Sequence, residues 1–241
     1  MRVPQQTGKK GSLKWIQELI NNNSELLNRR IQDYIKDDVS LTEWVSPKKE
    51  DEFAEYRDEY FLKILGIKEC KAKLFKFWPK RGPQWDALGK FKKEFYFIVE
   101  AKANIPEITS SCQAKSENSK TKIQNSILRT QRFLNNTSKK NWFNGFYQYA
   151  NRLCHLYFLR ELCGVNAYLV FVYFCNDTTH LPTSIEQWQG AIKLQKHIMA
   201  LGSRHQLQKY IIEIFIDIEE MVIEPVSSGD SQGLRCFGRL V

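Results

Sequence analysis

The side chains that could do chemistry in this chain are two carboxylates and an ammonium group near the middle of the sequence. Asp86 lies in "GPQWDALG", and Glu100 and Lys102 lie two positions apart in "FYFIVEAKA". Carboxylates can hold one or two Mg²⁺ ions, and a neighbouring cation can stabilise negative charge that develops on a phosphate during hydrolysis. These residue types suit the hydrolysis of a phosphodiester bond.

The run that carries Glu100 and Lys102 is apolar enough to be a buried strand. Side chains alternate between the faces of a strand, so both residues project from one face, together with Tyr96 and Ile98. A buried ion pair is costly to desolvate and is weak evidence for stability, which favours a functional interpretation. The alternative is a strand that leaves the core, so that its last residues meet water.

Three short runs predict an antiparallel meander around these residues. "KLFKFW", "QWDALGKF" and "EFYFIVEAKA" each resemble a strand, and only "PKRGP" and "KKE" separate them. If the second and third strands are neighbours, Asp86 can lie across from Glu100. The sheet would then bring both carboxylates and the lysine together.

The pattern downstream predicts a crossover connection. A long helix from about 141 to 164 has a wide apolar stripe and ends at Gly164, and the apolar strand "NAYLVFVYF" follows it. A capped helix, "SIEQWQGAIKLQKHIMALG", and a half-exposed strand, "YIIEIFIDIEE", come next. We therefore expect an α/β fold with a central mixed sheet, an antiparallel meander plus a crossover strand, flanked by helices.

The most clearly marked helix precedes the predicted sheet. Ser46 could cap it, Pro47 suits its first position, acidic residues crowd its early turns and Gly66 would end it. These signals predict a helix from about 47 to 65.

The N-terminal part predicts two short helices packed on the main body. "SLKWIQELINNNSELLNRRIQDYI" has apolar residues at helical spacing, with Ser12 as the expected cap and a break at "NNNS". We expect a single domain over 1 to 241, in which 1 to 45 is an N-terminal helical extension and 47 to 218 is the core.

Composition and charge indicate the partners and the location of the protein. The formal charge of +9 over 241 residues makes polyanions the first partners to consider. The six cysteines form no CxxC pair and no zinc-spaced cluster, so we expect reduced thiols of a cytosolic protein. The start "MRVPQQTGKKGSLKW" lacks the apolar core of a signal peptide, and no stretch reaches the roughly 18 apolar residues of a membrane span. These features predict a cytoplasmic location without membrane contact.

The motif residues resemble those of the PD-(D/E)XK nuclease superfamily, the restriction-endonuclease-like fold. Pro83, Asp86, Glu100 and Lys102 carry the resemblance, together with the order of elements from about 47 to 218. "PQWD" puts two residues between proline and aspartate, a spacing that varies in this superfamily. The resemblance implies a nuclease that uses Mg²⁺, with Mn²⁺ able to substitute, and that acts on DNA in preference to RNA. An endonuclease is expected, and exonuclease action stays open as the alternative. Asp86 and Glu100 would bind the metal, and Lys102 would position or polarise the attacking water.

The same resemblance implies a further metal ligand from the helix before the sheet. Glu55 is the preferred candidate, and Glu52, Asp58 and Glu59 in "EDEFAEYRDEY" are the alternatives. An acidic first turn stabilised by the helix dipole is the structural explanation of the same residues.

Nucleases of this fold also often have a glutamine and a polar residue on the helix after the ExK strand. Gln148, Arg152 and His155 recur on one face of the predicted helix. Gln148 could orient water or a nucleotide, and Arg152 could contact a phosphate bidentately. The alternative is a helix surface with an interior hydrogen bond, and His155 is expected to be structural.

Basic residues cluster on both sides of the proposed site and suit a groove that follows a phosphate backbone. Those predicted to bind nucleic acid are Arg152, Lys80, Arg81, Lys90, Lys92, Lys93 and Lys115. The same clusters also contain Lys68, Lys71, Lys73, Lys76, Lys120 and Lys122. Solubility is the ordinary alternative role of surface lysines.

Two competing interpretations stay open at the level of sequence. One is a catalytically silent nucleic-acid-binding or scaffolding protein on the same fold. The other is a structural protein in which Glu100 and Lys102 form an ion pair without metal. For the nuclease, a homodimer is plausible because cutting both strands of a duplex needs two sites.

Overall fold

The fold is built on a mixed sheet of five strands with helices on both faces. The computed structural model describes residues 1–35, 38–40, 42–92, 94–136, 138 and 140–222. In sheet order the five strands are β2 (Glu43–Ser46), β4 (Ala87–Phe91), β5 (Phe95–Lys102), β6 (Ala167–Cys175) and β7 (Ile211–Asp217). Two short strands, β1 (Arg2–Val3) and β3 (Glu55–Tyr56), form a separate antiparallel pair.

Eight α-helices lie within the described residues. They are α1 (Gly11–Asn22), α2 (Ser24–Gln32), α3 (Glu59–Leu65), α4 (Lys71–Phe77), α5 (Glu117–Phe133), α6 (Tyr147–Tyr157), α7 (Ile185–Ile198) and α8 (Glu219–Val222). A π-helical turn, Phe158–Leu162, continues α6, and Gly164 ends it with a positive φ of 72° that glycine adopts without strain.

The sheet changes from antiparallel to parallel at its central strand. β4 is antiparallel to both of its neighbours, β2 and β5, whereas β5, β6 and β7 run parallel to one another. Helices α5 and α6 connect β5 to β6, and α7 connects β6 to β7. The predicted α/β class, with a mixed sheet flanked by helices, is therefore confirmed.

Two hydrophobic cores lie on opposite faces of this sheet. On one face, α1 and α2 cover alternate residues of β5, including Phe97 and Val99. On the other face, α3 to α7 pack over Tyr96 and Ile98. The segment expected to be an N-terminal extension thus forms one layer of the fold, and the boundary near 45 falls within edge strand β2.

The predicted helix from 47 to 65 is wrong over its first half. Only Glu59–Leu65 is α-helical. Lys49–Asp51 forms a short 3₁₀ turn, and Glu52 and Phe53 then turn the chain with positive φ values of 53° and 47°. The next residues form β3 and pair with β1. Hydrogen bonds from a segment more than 50 residues away outweigh local helical signals here.

The predicted strand "KLFKFW" is also wrong, because Lys71–Phe77 forms helix α4. Its buried residues, Leu74 and Phe77, lie three positions apart and suit one helical face. The third antiparallel strand is β2 instead, which buries Trp44. Helix α1 starts at Gly11, so Ser12 is not its cap.

The five described cysteines are unpaired thiols, as the sequence predicts, and Cys236 lies outside the described residues. None of the helices in the described part of the chain is long and apolar enough to cross a membrane.

Candidate active site

The last residues of β5 bury an ion pair. Glu100 is 1% exposed and Lys102 is 9% exposed, and the lysine Nζ donates a hydrogen bond to Glu100 Oε1. Both side chains lie on the face that α3 to α7 cover, beside Phe171 and Tyr173 of the neighbouring parallel strand. The alternative of a strand that ends in water is therefore wrong.

Arg152 of α6 reaches the second oxygen of Glu100. Its Nε donates to Glu100 Oε2 at 2.5 Å, and its Nη2 donates to the Gln84 carbonyl at 2.8 Å. The guanidinium carbon lies 4.7 Å from the centre of the Trp85 ring. Burial alone would raise the pKa of Glu100, but Arg152 and Lys102 hold that pKa below its ordinary value. Arg152 thus faces the interior and is fixed in the site.

Asp86 lies directly before β4 and across from Glu100. Ala87 pairs with Val99 in the antiparallel register, which places the preceding residue opposite Glu100. Asp86 Oδ2 accepts a hydrogen bond of 2.7 Å from the backbone N–H of Ala101. Burial and the charges of Glu100 and Glu55 raise the pKa of Asp86 well above its ordinary value. The structure thus brings the two motif carboxylates together.

Glu55 joins this cluster, although it lies on strand β3 and not on a helix. Its Oε2 accepts a hydrogen bond of 2.5 Å from Gln84 Nε2. Burial, with a smaller contribution from the charge of Glu100, raises the pKa of Glu55 to about 7 against the opposing Gln84 hydrogen bond.

The three alternative ligands, Glu52, Asp58 and Glu59, contact residues that do not belong to the carboxylate cluster. Glu52 lies 3.3 Å from Arg2, and Glu59 forms an ion pair of 3.0 Å with Lys71. Asp58 accepts a hydrogen bond of 2.9 Å from the Gly82 N–H. Of the four acidic residues considered, Glu55 is the one whose pKa is raised by the charge of Glu100.

The cluster contains carboxylate oxygens, which are the ligands that Mg²⁺ takes in proteins. Three carboxylates, Glu55, Asp86 and Glu100, face two cations, Lys102 and Arg152, and two of these carboxylates retain protons more strongly than usual. Among the described residues, no three His, Cys, Asp or Glu side chains are grouped so that they could hold a metal ion as they stand. Mg²⁺ keeps several waters and needs only one or two carboxylates, so oxygen ligands from Asp86 and Glu55 would suffice.

A small cavity of about 10 Å³ lies beside the ion pair. Its walls include Glu100, Lys102, Gln148, Tyr149 and Gln195. The Oη of Tyr149 and the Oε1 of Gln195 are buried without a hydrogen-bond partner among the described residues. A polar cavity of this size fits one water molecule. Gln148 therefore lies next to a water-sized space that adjoins Lys102.

Three polar residues of the site were missed by sequence reasoning. Gln84 lies two positions before Asp86 in the same stretch, a spacing that could have drawn attention to it. Tyr149 lies within the apolar stripe of α6, and Gln195 lies on α7 among unremarkable polar residues. No local pattern marks these last two, because only the packing of helices on the sheet brings them to Lys102.

His155 has the structural surroundings expected of it. Its ring lies 4.8 Å from Trp78 and 5.9 Å from Trp85, measured between ring centres. Its Nδ1 lies 2.8 Å from the Asn151 carbonyl oxygen. Burial lowers the pKa of His155 to about 3, so the ring is neutral near pH 7.

The predicted nucleic-acid contacts are scattered. Lys80 and Arg81 are exposed in the loop that leads from α4 towards Asp86, and Lys115 is exposed before α5. Lys90 and Lys92 lie at the other end of the β4–β5 hairpin.

The hairpin register measures how far this end lies from the site. Lys90 pairs with Tyr96, about 13 Å along β5 from Glu100. Lys90 also forms an ion pair of 3.3 Å with Glu43. Lys93 lies outside the described residues. The structure therefore does not bring the hairpin lysines to the carboxylate cluster.

Comparison with known proteins gave no relative. No protein family model matches the chain, and neither the curated proteins nor the solved structures contain a significant match.

Proposed function

We propose that this protein is a metal-dependent nuclease of the PD-(D/E)XK kind, which hydrolyses phosphodiester bonds and prefers DNA to RNA. The observation that carries the proposal is the meeting of Asp86, Glu100 and Lys102 at the end of β5, where Asp86 accepts the N–H of Ala101. The net positive charge of the chain supports a polyanionic substrate.

The carboxylates of Asp86, Glu55 and Glu100 would hold Mg²⁺, which, when bound, supplies positive charge at the phosphate oxygens. Lys102 holds its ammonium next to the water-sized cavity and would orient the attacking water. Gln148, which lines the same cavity, would also contact this water. Arg152 and Gln84 keep Glu100 and Glu55 in place by direct hydrogen bonds.

A second candidate function is nucleic-acid binding without turnover. Both oxygens of Glu100 are already used by Lys102 and Arg152, and the side chain is almost fully buried. A protein that kept these ion pairs permanently would bind its partner without cutting it.

Cleavage assays separate these functions. Supercoiled plasmid and labelled single- and double-stranded DNA and RNA would be incubated with Mg²⁺, Mn²⁺ or EDTA. We expect cleavage that needs the metal and that falls by about 10²-fold or more in Asp86→Asn and in Lys102→Met. Lys193→Met, which changes an exposed lysine on α7, is the matched control and should retain activity.

Each remaining outcome has a definite meaning. Cutting that persists in EDTA or in both site variants would contradict the proposed site. Binding of nucleic acid without cutting any substrate would favour the second candidate.

A further inference from the structure

A basic groove of about 790 Å³ lies between α4 and α5, away from the carboxylate cluster. Four cationic residues line it: Lys73, Lys76, Lys122 and Arg129. None of the described residues that line it is acidic. We call this surface the α4–α5 groove.

The cations of the α4–α5 groove differ from two lysines on the same helices. Lys71 of α4 pairs with Glu59 at 3.0 Å, and Lys120 of α5 pairs with Glu117 at 2.7 Å. Within the described part of the chain, none of the four groove cations has a carboxylate oxygen within 4.0 Å. Their positive charge is therefore not neutralised by an ion pair.

Neutral acceptors hold three of these cations in position. Lys73 Nζ donates to the Leu162 carbonyl at 2.7 Å, and Lys122 Nζ donates to the Phe75 carbonyl at 2.5 Å. Arg129 Nε donates to Tyr157 Oη at 2.9 Å. An ammonium has three donors and a guanidinium has five, so each cation keeps donors for a ligand. Fixed, unneutralised cations lose little side-chain freedom when an anion binds.

The spacing of the cations suits a chain of phosphates. Lys122 and Arg129 lie seven residues apart on α5, about 10.5 Å along the helix axis. One phosphate is too small to contact both. A nucleic-acid strand carries a charge about every 3.4 Å of rise, so roughly three nucleotides cover this distance.

The groove and the carboxylate cluster share one helix. Arg152 of α6 binds Glu100, and Tyr157 of the same helix binds Arg129 of the groove. The two α6 residues are separated by about 7.5 Å of helical rise. Five residues also rotate an α-helix by about 140° beyond one full turn, so a strand that contacts both regions must pass around α6.

We propose that the α4–α5 groove binds the phosphate backbone of the nucleic acid on which the carboxylate cluster acts. As a statement about the substrate of that cluster, this inference rests on the proposed function. The binding itself does not depend on cleavage, and it can be measured separately.

The test measures binding of a labelled DNA duplex of about 20 base pairs in EDTA, over a range of salt concentrations. Lys73→Gln/Lys76→Gln changes two exposed residues of the groove. We expect this variant to bind roughly tenfold more weakly, with a salt slope smaller in magnitude by about two. Lys9→Gln/Lys10→Gln, which removes the same charge from exposed positions before α1, is the matched control and should bind like the wild type.

The outcomes separate the groove from the catalytic proposal. Wild-type affinity and an unchanged salt slope in the groove variant would overturn the groove assignment, as would a wild-type protein that does not bind the duplex. Loss of binding in the groove variant, with no cleavage by the wild type, would support the groove and contradict the nuclease function.

Discussion

The two faces of strand β5 are equally buried and chemically opposite. Phe97, Val99 and Ala101 point into an apolar core against α1 and α2, and each is at most 1% exposed. Glu100 and Lys102 point to the other face, where they are nearly as inaccessible. Because burial is the same, it cannot explain why one face is apolar and the other is charged.

The charged face requires the desolvation of buried ions, and the apolar face does not. Taking ions out of water is unfavourable, and apolar residues of similar volume often stabilise a fold as well or better. The apolar face shows that this sheet can be covered without charges. The ion pairs on the opposite face therefore agree with a functional role, which the predictions below test in order of decreasing effect.

The largest expected effect comes from removing one partner of the buried ion pairs. Arg152→Met leaves one oxygen of Glu100 without its cation, and we expect a loss of about 3–5 kcal/mol in the free energy of unfolding. Urea denaturation measures this loss. Arg29→Met, an exposed arginine on α2, is the control and should change stability by no more than about 0.5 kcal/mol.

Replacing all three ionic groups sharpens the comparison. Glu100→Leu/Lys102→Met/Arg152→Met would give the charged face an apolar character like that of its opposite. We expect this variant to recover most of the stability that Arg152→Met loses, because the charges of Glu100, Lys102 and Arg152 are removed together. A triple variant no more stable than Arg152→Met would show that the ion pairs themselves stabilise the fold.

The next largest effect is a change of folding stability with pH. The pKa of Glu55 is raised to about 7 from an ordinary value of 4.5, so the folded state holds a proton that the unfolded state releases in this range. This contribution to stability is present at low pH and is lost as the pH rises from about 4.5 to above 7.

Glu55→Gln removes this titration. In EDTA, we expect the variant to gain stability relative to the wild type as the pH rises through this range, by up to roughly 3 kcal/mol. Urea denaturation at pH 5 and at pH 8 measures the difference between the two proteins. An identical pH dependence would contradict the raised pKa.

The smallest effect belongs to the apolar face. Ile214 of β7 is buried against α1 and α2, and Ile214→Val removes one methylene group. We expect a loss of about 0.5–1.5 kcal/mol in the free energy of unfolding, measured by urea denaturation, and no change in the metal dependence of cleavage. A change in metal dependence would mean that the two faces are coupled through the sheet.

Periodicity predicted the regions in which one pattern extends over many residues. Strands β5, β6 and β7 were recognised because continuous or alternating apolar runs are bounded by turn residues. "KLFKFW" failed because six residues do not distinguish a period of 2 from one of 3.6. The segment around Glu55 failed because β1, its partner strand, lies more than 50 residues away in the sequence.

The candidate site was predicted in part. Asp86 directly precedes β4, and Glu100 and Lys102 lie on the neighbouring strand β5, so strand order alone was enough to bring the three residues together. Glu55 reached the cluster from a strand and not from the expected helix. Gln195 could not be predicted, because its place depends on how α7 packs over the sheet.

The claim that the carboxylates form a divalent-cation site is tested most directly by calorimetry with Mg²⁺ near pH 7. Titrations in two buffers of different ionisation enthalpy would also count the protons released. We predict that the wild type and the control Glu43→Gln bind Mg²⁺ and release protons, because Glu55, whose pKa is raised to about 7, must lose its proton, and that Asp86→Asn loses this binding. Mg²⁺ binding of the same affinity in Asp86→Asn, or no binding by the wild type, would contradict the account.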